Sequence, residues 1–402
     1  MTKAELFFDL IYILAITQLT QLLLSHLTLL GMVQTLLLLL PLWWAWLDTA
    51  WFTNWFDPDR LSVRLMLFGI MLLSLIVSAS LPEAYGDGGR WVAGAYAAIQ
   101  VGRTAFGVVA LSRPAGVRGW LSGSAPESPD ARRARLRLRP TFQRLVAWAA
   151  ISGTLWVAGG LVHGSARVAL WGAAVAATYL GGILGFYFPG LGRSTPADWP
   201  ITGWHLAERV QLFILIALGE SLLRTGTALG AEPNDTVHLL ALVNAFLGSV
   251  ALWWIYFDRV AEAAGRVIDE SPDPGRLGRS AYSYLHLPMV AGIIATAVGD
   301  ELTIAHPTGH PTAPSITNVL AGPALFLAGH VLFLWAVLGE LSRPRLIAIG
   351  ALVALTPIGL IGPPLLLAGL ATVVLVALAA WDAVQARRGT PVGRKNSRPA
   401  TN

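Results

Sequence analysis

Residues 31–52 read Gly-Met-Val-Gln-Thr-Leu-Leu-Leu-Leu-Leu-Pro-Leu-Trp-Trp-Ala-Trp-Leu-Asp-Thr-Ala-Trp-Phe, with Asp48 the single charged group. As a helix rising 1.5 Å per residue, such a run matches the ~30 Å hydrocarbon core of a bilayer. In lipid it must be helical, because every backbone N–H and C=O has to find its partner within the segment.

Similar runs occur at 4–24, 62–82, 91–112, 141–162, 167–189, 205–227, 236–258, 281–303, 318–339, 345–361 and 363–383. The chain therefore reads as an all-α integral membrane protein with about twelve transmembrane helices. The last two runs are short and meet at Pro363-Pro364, which suits a pair of spans or one re-entrant hairpin. Composition agrees. Of 402 residues 55% are hydrophobic and 13% charged, whereas a soluble domain carries about 25% charge.

There is no cysteine, which excludes disulfides and thiolate metal sites. The first run starts almost at Met1 and contains acidic residues, unlike a signal peptide. The net charge of +5 does not point to nucleic acid, because the basic residues sort between alternate loops. One set holds Lys3, Arg60, Arg64, Arg113, Arg118, the run Arg132 to Arg144, Arg193, Arg259, Arg266, Arg276, Arg279, Arg343, Arg345 and the tail. The other set holds Arg90, Arg167 and Arg224. Basic loops stay cytoplasmic on insertion, so both termini are expected in the cytoplasm, with the chain in the cytoplasmic (inner) membrane and its lipids as partners.

The expected organisation is four helices in 1–112, a basic cytoplasmic linker at 113–140, helices five and six in 141–189, a second half at 205–383 and a disordered tail at 384–402. The linker is read as a topology determinant lying on the headgroups, with anionic lipid binding as its functional reading. The two halves share a motif. Trp43-Trp44-Ala45-Trp46-Leu47-Asp48 returns as Trp253-Trp254-Ile255-Tyr256-Phe257-Asp258, each preceded by a helix opening with a glutamate, Glu5 or Glu208. About six spans per half, an even number, makes these parallel repeats.

Ionisable groups inside the bilayer each cost roughly 2.5–3.5 kcal/mol near a helix centre, so they persist when paired, hydrated or useful. Glu5, Asp9 and Tyr12 are spaced to share one face of the first helix. Trp44, Asp48, Trp51 and Trp55 form a stripe on the second, with Trp44 beside Asp48 read as facing a cavity and Trp51 and Trp55 as an interfacial belt. Arg103 is alone mid-span and needs a counter-ion, with Asp48 and Asp9 the candidates. His205, Glu208 and Arg209 lie within one turn of the seventh helix, and Glu220 follows on nearly the face of Arg209. His286 and Asp258 complete the set of proton-coupling or cavity candidates, with Trp254 as the second copy's aromatic wall, while Asp300-Glu301 with His306 and His310 suggests an outward-facing metal or proton site. His330 reads as a lone hydrogen-bonded helix contact. His306 and His310 lie in a proline-containing loop and give no ligand geometry, so no metal and no cofactor is expected. There is no phosphate loop and no soluble nucleotide-binding domain, which argues against direct ATP hydrolysis.

Glu5-Leu-Phe-Phe-Asp-Leu-Ile-Tyr12, Trp-Trp-Ala-Trp-Leu-Asp48, Ala-Glu208-Arg209 and Ala-Leu-Gly-Glu220-Ser221 together resemble the bacterial low temperature requirement A family. The match runs from Glu5 to about Asp300. It implies a membrane protein associated by name with growth in the cold, without a mechanism. Three functions suit these residues. One is a secondary transporter of a small solute, driven by proton movement through the buried carboxylates. A second is an intramembrane enzyme acting on a lipid or isoprenoid, with acids set in an aromatic pocket of Trp44, Asp48, Trp254 and Asp258. The third is a non-catalytic stress-response or assembly protein.

Overall fold

The computed structural model describes residues 1–112, 129–195, 198, 202–231, 235–258, 260–271 and 273–387. The expected linker between 113 and 128, Arg259 and most of the expected tail lie outside the described residues. The chain divides into two compact units, Met1–Arg209 and Val210–Asn402.

The first unit begins with α1 (Lys3–Ser25). Its start is set by Thr2, whose hydroxyl accepts from the Glu5 N–H while Glu5 accepts from the Thr2 N–H, a reciprocal cap. There follow α2 (Leu29–Trp55), α3 (Leu61–Ser80), α4 (Gly89–Ser112), α5 (Pro129–Leu161) and α6 (Gly164–Ile183). The basic run expected in the linker is helical from Pro129 onward. It forms the first turns of α5, with Arg132, Arg133, Arg137 and Arg139 exposed. A turn closed between Phe188 and Gly192 leads to α7 (Gly203–Ala231), within which the division between the units falls.

The second unit holds the rest of α7 and then α8 (Thr236–Phe257), α9 (Val260–Asp269) and α10 (Pro274–Leu277), which runs into a π-helical turn at Gly278–Tyr282. It ends with α11 (Leu287–Ala305), α12 (Ala313–Leu338), α13 (Arg343–Ala354), α14 (Thr356–Ile361) and α15 (Pro364–Arg387). The span expected at 281–303 starts later, at Leu287, because Pro288 suits a first helical turn. The stretch expected as loop after Asp258 contains α9, which buries Val260, Ala261, Ala264 and Ile268 and turns the Arg266–Glu262 pair outward at 2.8 Å. The span expected at 345–361 breaks at Leu355 into α13 and α14. The helix expected to end at 383 continues to Arg387.

Among the described residues 11 helical stretches are long and apolar enough to cross a membrane. No described residue belongs to a strand. The 29-residue α7 is long enough to cross but is not one of the eleven; it carries Glu208, Arg209, Glu220 and Arg224. The outer surface is apolar: Leu29, Leu61, Leu161, Ile183, Ile347 and Ile361 are all more than 60% exposed. A soluble fold does not leave such a surface to water, whereas lipid covers it at no cost. Small residues let the helices approach closely. A Cβ on Gly292 of α11 would lie 2.5 Å from the Phe326 backbone nitrogen of α12, and one on Gly322 would lie 2.6 Å from that of Thr296.

Candidate functional site: two buried ion networks

The polar interior of the first unit is built from the opening turns of α1 and α7 and the middle of α2. Asp9, one turn beyond Glu5, stacks with it on the inner face of α1. Arg209, two turns into α7, meets both. Its Nη2 lies 2.6 Å from Asp9 Oδ1 and its Nη1 lies 3.0 Å from Glu5 Oε1. All three side chains are at most 1% exposed. The indole N–H of Trp46 donates to Asp9 Oδ1 at 2.8 Å, and the guanidinium rests against the Trp46 and Phe8 rings, 5.7 Å from each centroid. His205 Nε2 lies 3.0 Å from Glu5 Oε1 and is the member of the group that reaches the surface, with 20% of its side chain exposed. Asn54 holds the other ring nitrogen at 3.3 Å and grips the Thr202 backbone through both ends of its amide.

A second pair lies on α2 and α4. Arg103 Nη2 reaches Asp48 Oδ2 at 2.8 Å, which gives the lone arginine the counter-ion that the sequence demands. Thr49, the Ala45 carbonyl and Gln100 accept its remaining bonds, and Gln100 in turn donates to the Tyr96 hydroxyl at 2.8 Å. Tyr12 is buried within electrostatic reach of Asp9 and Arg209 on one side and of Arg103 on the other. The first unit therefore carries one bonded network of His205, Glu5, Arg209 and Asp9 and a second of Arg103 and Asp48, with the buried Tyr12 within electrostatic reach of both.

The charges in the first cluster do not balance. Glu5 and Asp9 face a single guanidinium, leaving one uncompensated negative charge. Burying that charge is costly. Asp9 Oδ2 has no hydrogen-bond partner among the described residues.

The second unit contains its own network. The Tyr256 hydroxyl meets His286 Nε2 at 2.9 Å while His286 Nδ1 faces the Ala281 carbonyl at 3.2 Å. A carbonyl only accepts, so Nδ1 carries the ring hydrogen and Tyr256 is the donor. Beside it, Arg345 donates to His330 Nδ1 at 3.2 Å and pairs with Asp382 at 2.7 Å. His330 is thus tied to an arginine rather than alone, and Arg345 is buried at the start of α13 rather than in a loop. Elsewhere in this unit Arg224 pairs with Glu301 at 2.5 Å, and Glu220 and Ser221 are buried.

Of the other candidates, Trp44 joins the Arg103–Asp48 pair and the rest fall outside these networks. Glu208 is 41% exposed and 3.4 Å from the chain's amino group. Trp44 packs on Tyr179 at 4.7 Å and also hydrogen bonds to Asp48. Trp51 is buried against Trp55 rather than forming an exposed belt. Trp254 is 39% exposed and Asp258 is exposed, whereas Tyr256 is the inward aromatic of that motif. Among the described residues no three His, Asp or Glu side chains converge as metal ligands. The residues that sequence reasoning missed, Trp46, Gln100, Tyr96, Tyr256, Arg345 and Asp382, are all partners of charged or titratable groups rather than outliers in composition.

Eleven apolar spans among the described residues, with ion-paired networks within each unit, define a multi-pass membrane protein. The chain belongs to the bacterial low temperature requirement A (LtrA) family, which it matches over residues 1–380. It is 36% identical over 335 residues to an uncharacterized protein of Rhizobium meliloti (strain 1021), covering 82% of this chain and 76% of that protein. No solved structure matches it.

Proposed function

We propose that the chain is a proton-linked secondary transporter of a small solute, with the two networks of the first unit as its proton path. The observation that carries this is the charge count. Two buried carboxylates oppose one guanidinium, and the partly exposed His205 joins them to the surface. A group that needs one proton to be neutral, with an exposed member to deliver it, is suited to loading and unloading as access alternates. A purely structural ion pair needs no such odd member. Tyr12 and the Arg103–Asp48 pair extend the path inward.

The reading of two parallel halves draws support from the shared motif. Its fourth residue, Trp46 or Tyr256, donates into a buried network containing an arginine in each unit. The distribution of arginines favours both termini in the cytoplasm of a cell bounded by this membrane.

The test is proton uptake in proteoliposomes under an imposed pH gradient. Wild-type protein is expected to pass protons, and Asp9→Asn and Asp48→Asn are expected to abolish the flux while the protein remains folded. A flux unaltered by both substitutions, or none from folded wild-type protein with candidate solutes supplied, defeats the proposal.

A further inference from the structure

A groove of about 830 Å³ runs between α3 and α4 in the first unit. Gly69, Ala98 and Gly102 line it together with Leu65 and Phe106. Added Cβ atoms at Gly69 and Gly102 would meet nothing within 4 Å, so the space above both glycines is empty rather than filled by a neighbouring helix. Leu61 and Leu65 on its rim are 70% and 57% exposed, so the groove opens sideways to whatever surrounds the apolar surface. In a membrane protein that surrounding is the bilayer.

We propose that this groove is a binding site for one acyl chain of a membrane phospholipid whose phosphate is held by Arg60. Length, depth and charge each support this occupant. From Leu61 to Leu73 the α3 wall is about 18 Å long, close to the ~15 Å thickness of one leaflet's hydrocarbon. Arg60 stands immediately before the span Leu61–Ser80, which is headgroup depth for a chain lying in the groove. Its Nε lies 3.4 Å from Asp57, and its side chain, a quarter exposed, is part of the groove lining. Arg60 is also the N-cap of α3 and provides no side-chain cap, so the positive end of the helix adds to the same field. A phosphate takes both.

Deeper in the groove the wall includes Arg103, nine residues before the end of α4. Its charge is already matched by Asp48, so that part of the wall is neutral and suits hydrocarbon. A chain seated there covers the ion pair on its lipid side. This site goes beyond the transport reading and does not depend on it.

The experiment is native mass spectrometry of the full chain released from detergent after washing, comparing wild type with Gly69→Phe, Gly102→Phe and Arg60→Gln. Wild type is expected to retain one phospholipid. The two phenylalanine variants fill the groove without backbone conflict and are expected to lose it. Arg60→Gln, which leaves the groove empty but removes the charge, is expected to lower retention about tenfold. Equal retention in wild type and both phenylalanine variants overturns the proposal. Loss in those variants together with unchanged retention in Arg60→Gln, and equal competition by diacylglycerol, overturns the assignment of a phosphate.

Discussion

Arg209 Nη2 stands 2.6 Å from Asp9 Oδ1 across 200 residues of sequence, and neither side chain has any solvent exposure. A buried pair of this kind adds little net stability when intact, yet removing one partner strands the other. Arg209→Gln leaves Glu5 and Asp9 facing each other without a cation. The expected cost is about 3–5 kcal/mol, measured as reversible unfolding in mixed detergent. Adding Asp9→Asn to that variant is expected to restore part of the loss. A single-variant effect below about 1 kcal/mol, the size of a surface pair, would show that the charges are hydrated rather than buried.

Trp46 separates packing from hydrogen bonding. Trp46→Phe keeps an aromatic ring against Arg209 but removes the N–H that reaches Asp9 at 2.8 Å. A hydrogen bond to a charged group contributes about 1.5–3 kcal/mol, so a loss of that order is expected. Phenylalanine at Trp254, which is 39% exposed, is expected to be nearly neutral by the same unfolding measurement.

That contrast explains what was legible in the sequence. The spans were, because runs of some twenty apolar residues have one physical reading in lipid. The shared face of Glu5, Asp9 and Tyr12 was too, because it follows from helical periodicity alone. Which aromatic of the second motif turns inward was not. In a soluble helix the polar face marks the outside, but here the lipid-facing side is as apolar as the core, so Trp253, Trp254 and Tyr256 cannot be sorted by pattern. Nor could the sequence assign partners. Arg209 sits beside Glu208 in the chain, yet it pairs with residues of α1, while Glu208 turns to the amino terminus. Arg345 was hidden for a similar reason: an arginine at the start of a span reads as a loop residue until its neighbours His330 and Asp382 are in view.

Arg103 tests geometry against charge. It bonds to Asp48, Thr49, Gln100 and the Ala45 carbonyl, a set of acceptors spread around a planar fork. Lysine keeps the charge but offers a single ammonium, so Arg103→Lys is expected to leave at least one of these acceptors unmatched and to cost about 1–3 kcal/mol. An unchanged unfolding midpoint would mean that charge alone is required.

A pH effect is expected at the start of α8, outside the span's interior. The Asp235 carboxylate accepts from the His238 and Val237 N–H groups, each at 3.0 Å, and lies 2.8 Å from the His238 ring. The His238 backbone bond, with the ring bond and the remaining contacts, holds the Asp235 pKa below its ordinary value. A lowered folded-state pKa means that the cap's contribution is present above the unfolded value near 4 and is lost as pH falls through the folded one. Protection from hydrogen exchange in the first turn of α8, taken relative to the intrinsic rate at each pH, is expected to be high at neutral pH and to fall in acid. In Asp235→Ala it should be low at both, and equal acid sensitivity of the two proteins would assign the effect elsewhere.

The glycines of the second unit give a prediction of sign. At Gly292 an alanine Cβ would meet the Phe326 nitrogen at 2.5 Å and the Gly322 carbonyl at 2.7 Å, both backbone atoms that cannot swing aside. Gly292→Ala therefore has to push α11 from α12, at a cost of about 1–3 kcal/mol. At Gly350, inside α13, a Cβ meets nothing within 4 Å. There the substitution only removes backbone freedom from a helix interior and is expected to stabilise by about 0.5–1 kcal/mol. Thermal unfolding of the two variants in the same detergent should move in opposite directions. Movement in the same direction would show that the approach of α11 to α12 is looser than 2.5 Å contacts allow.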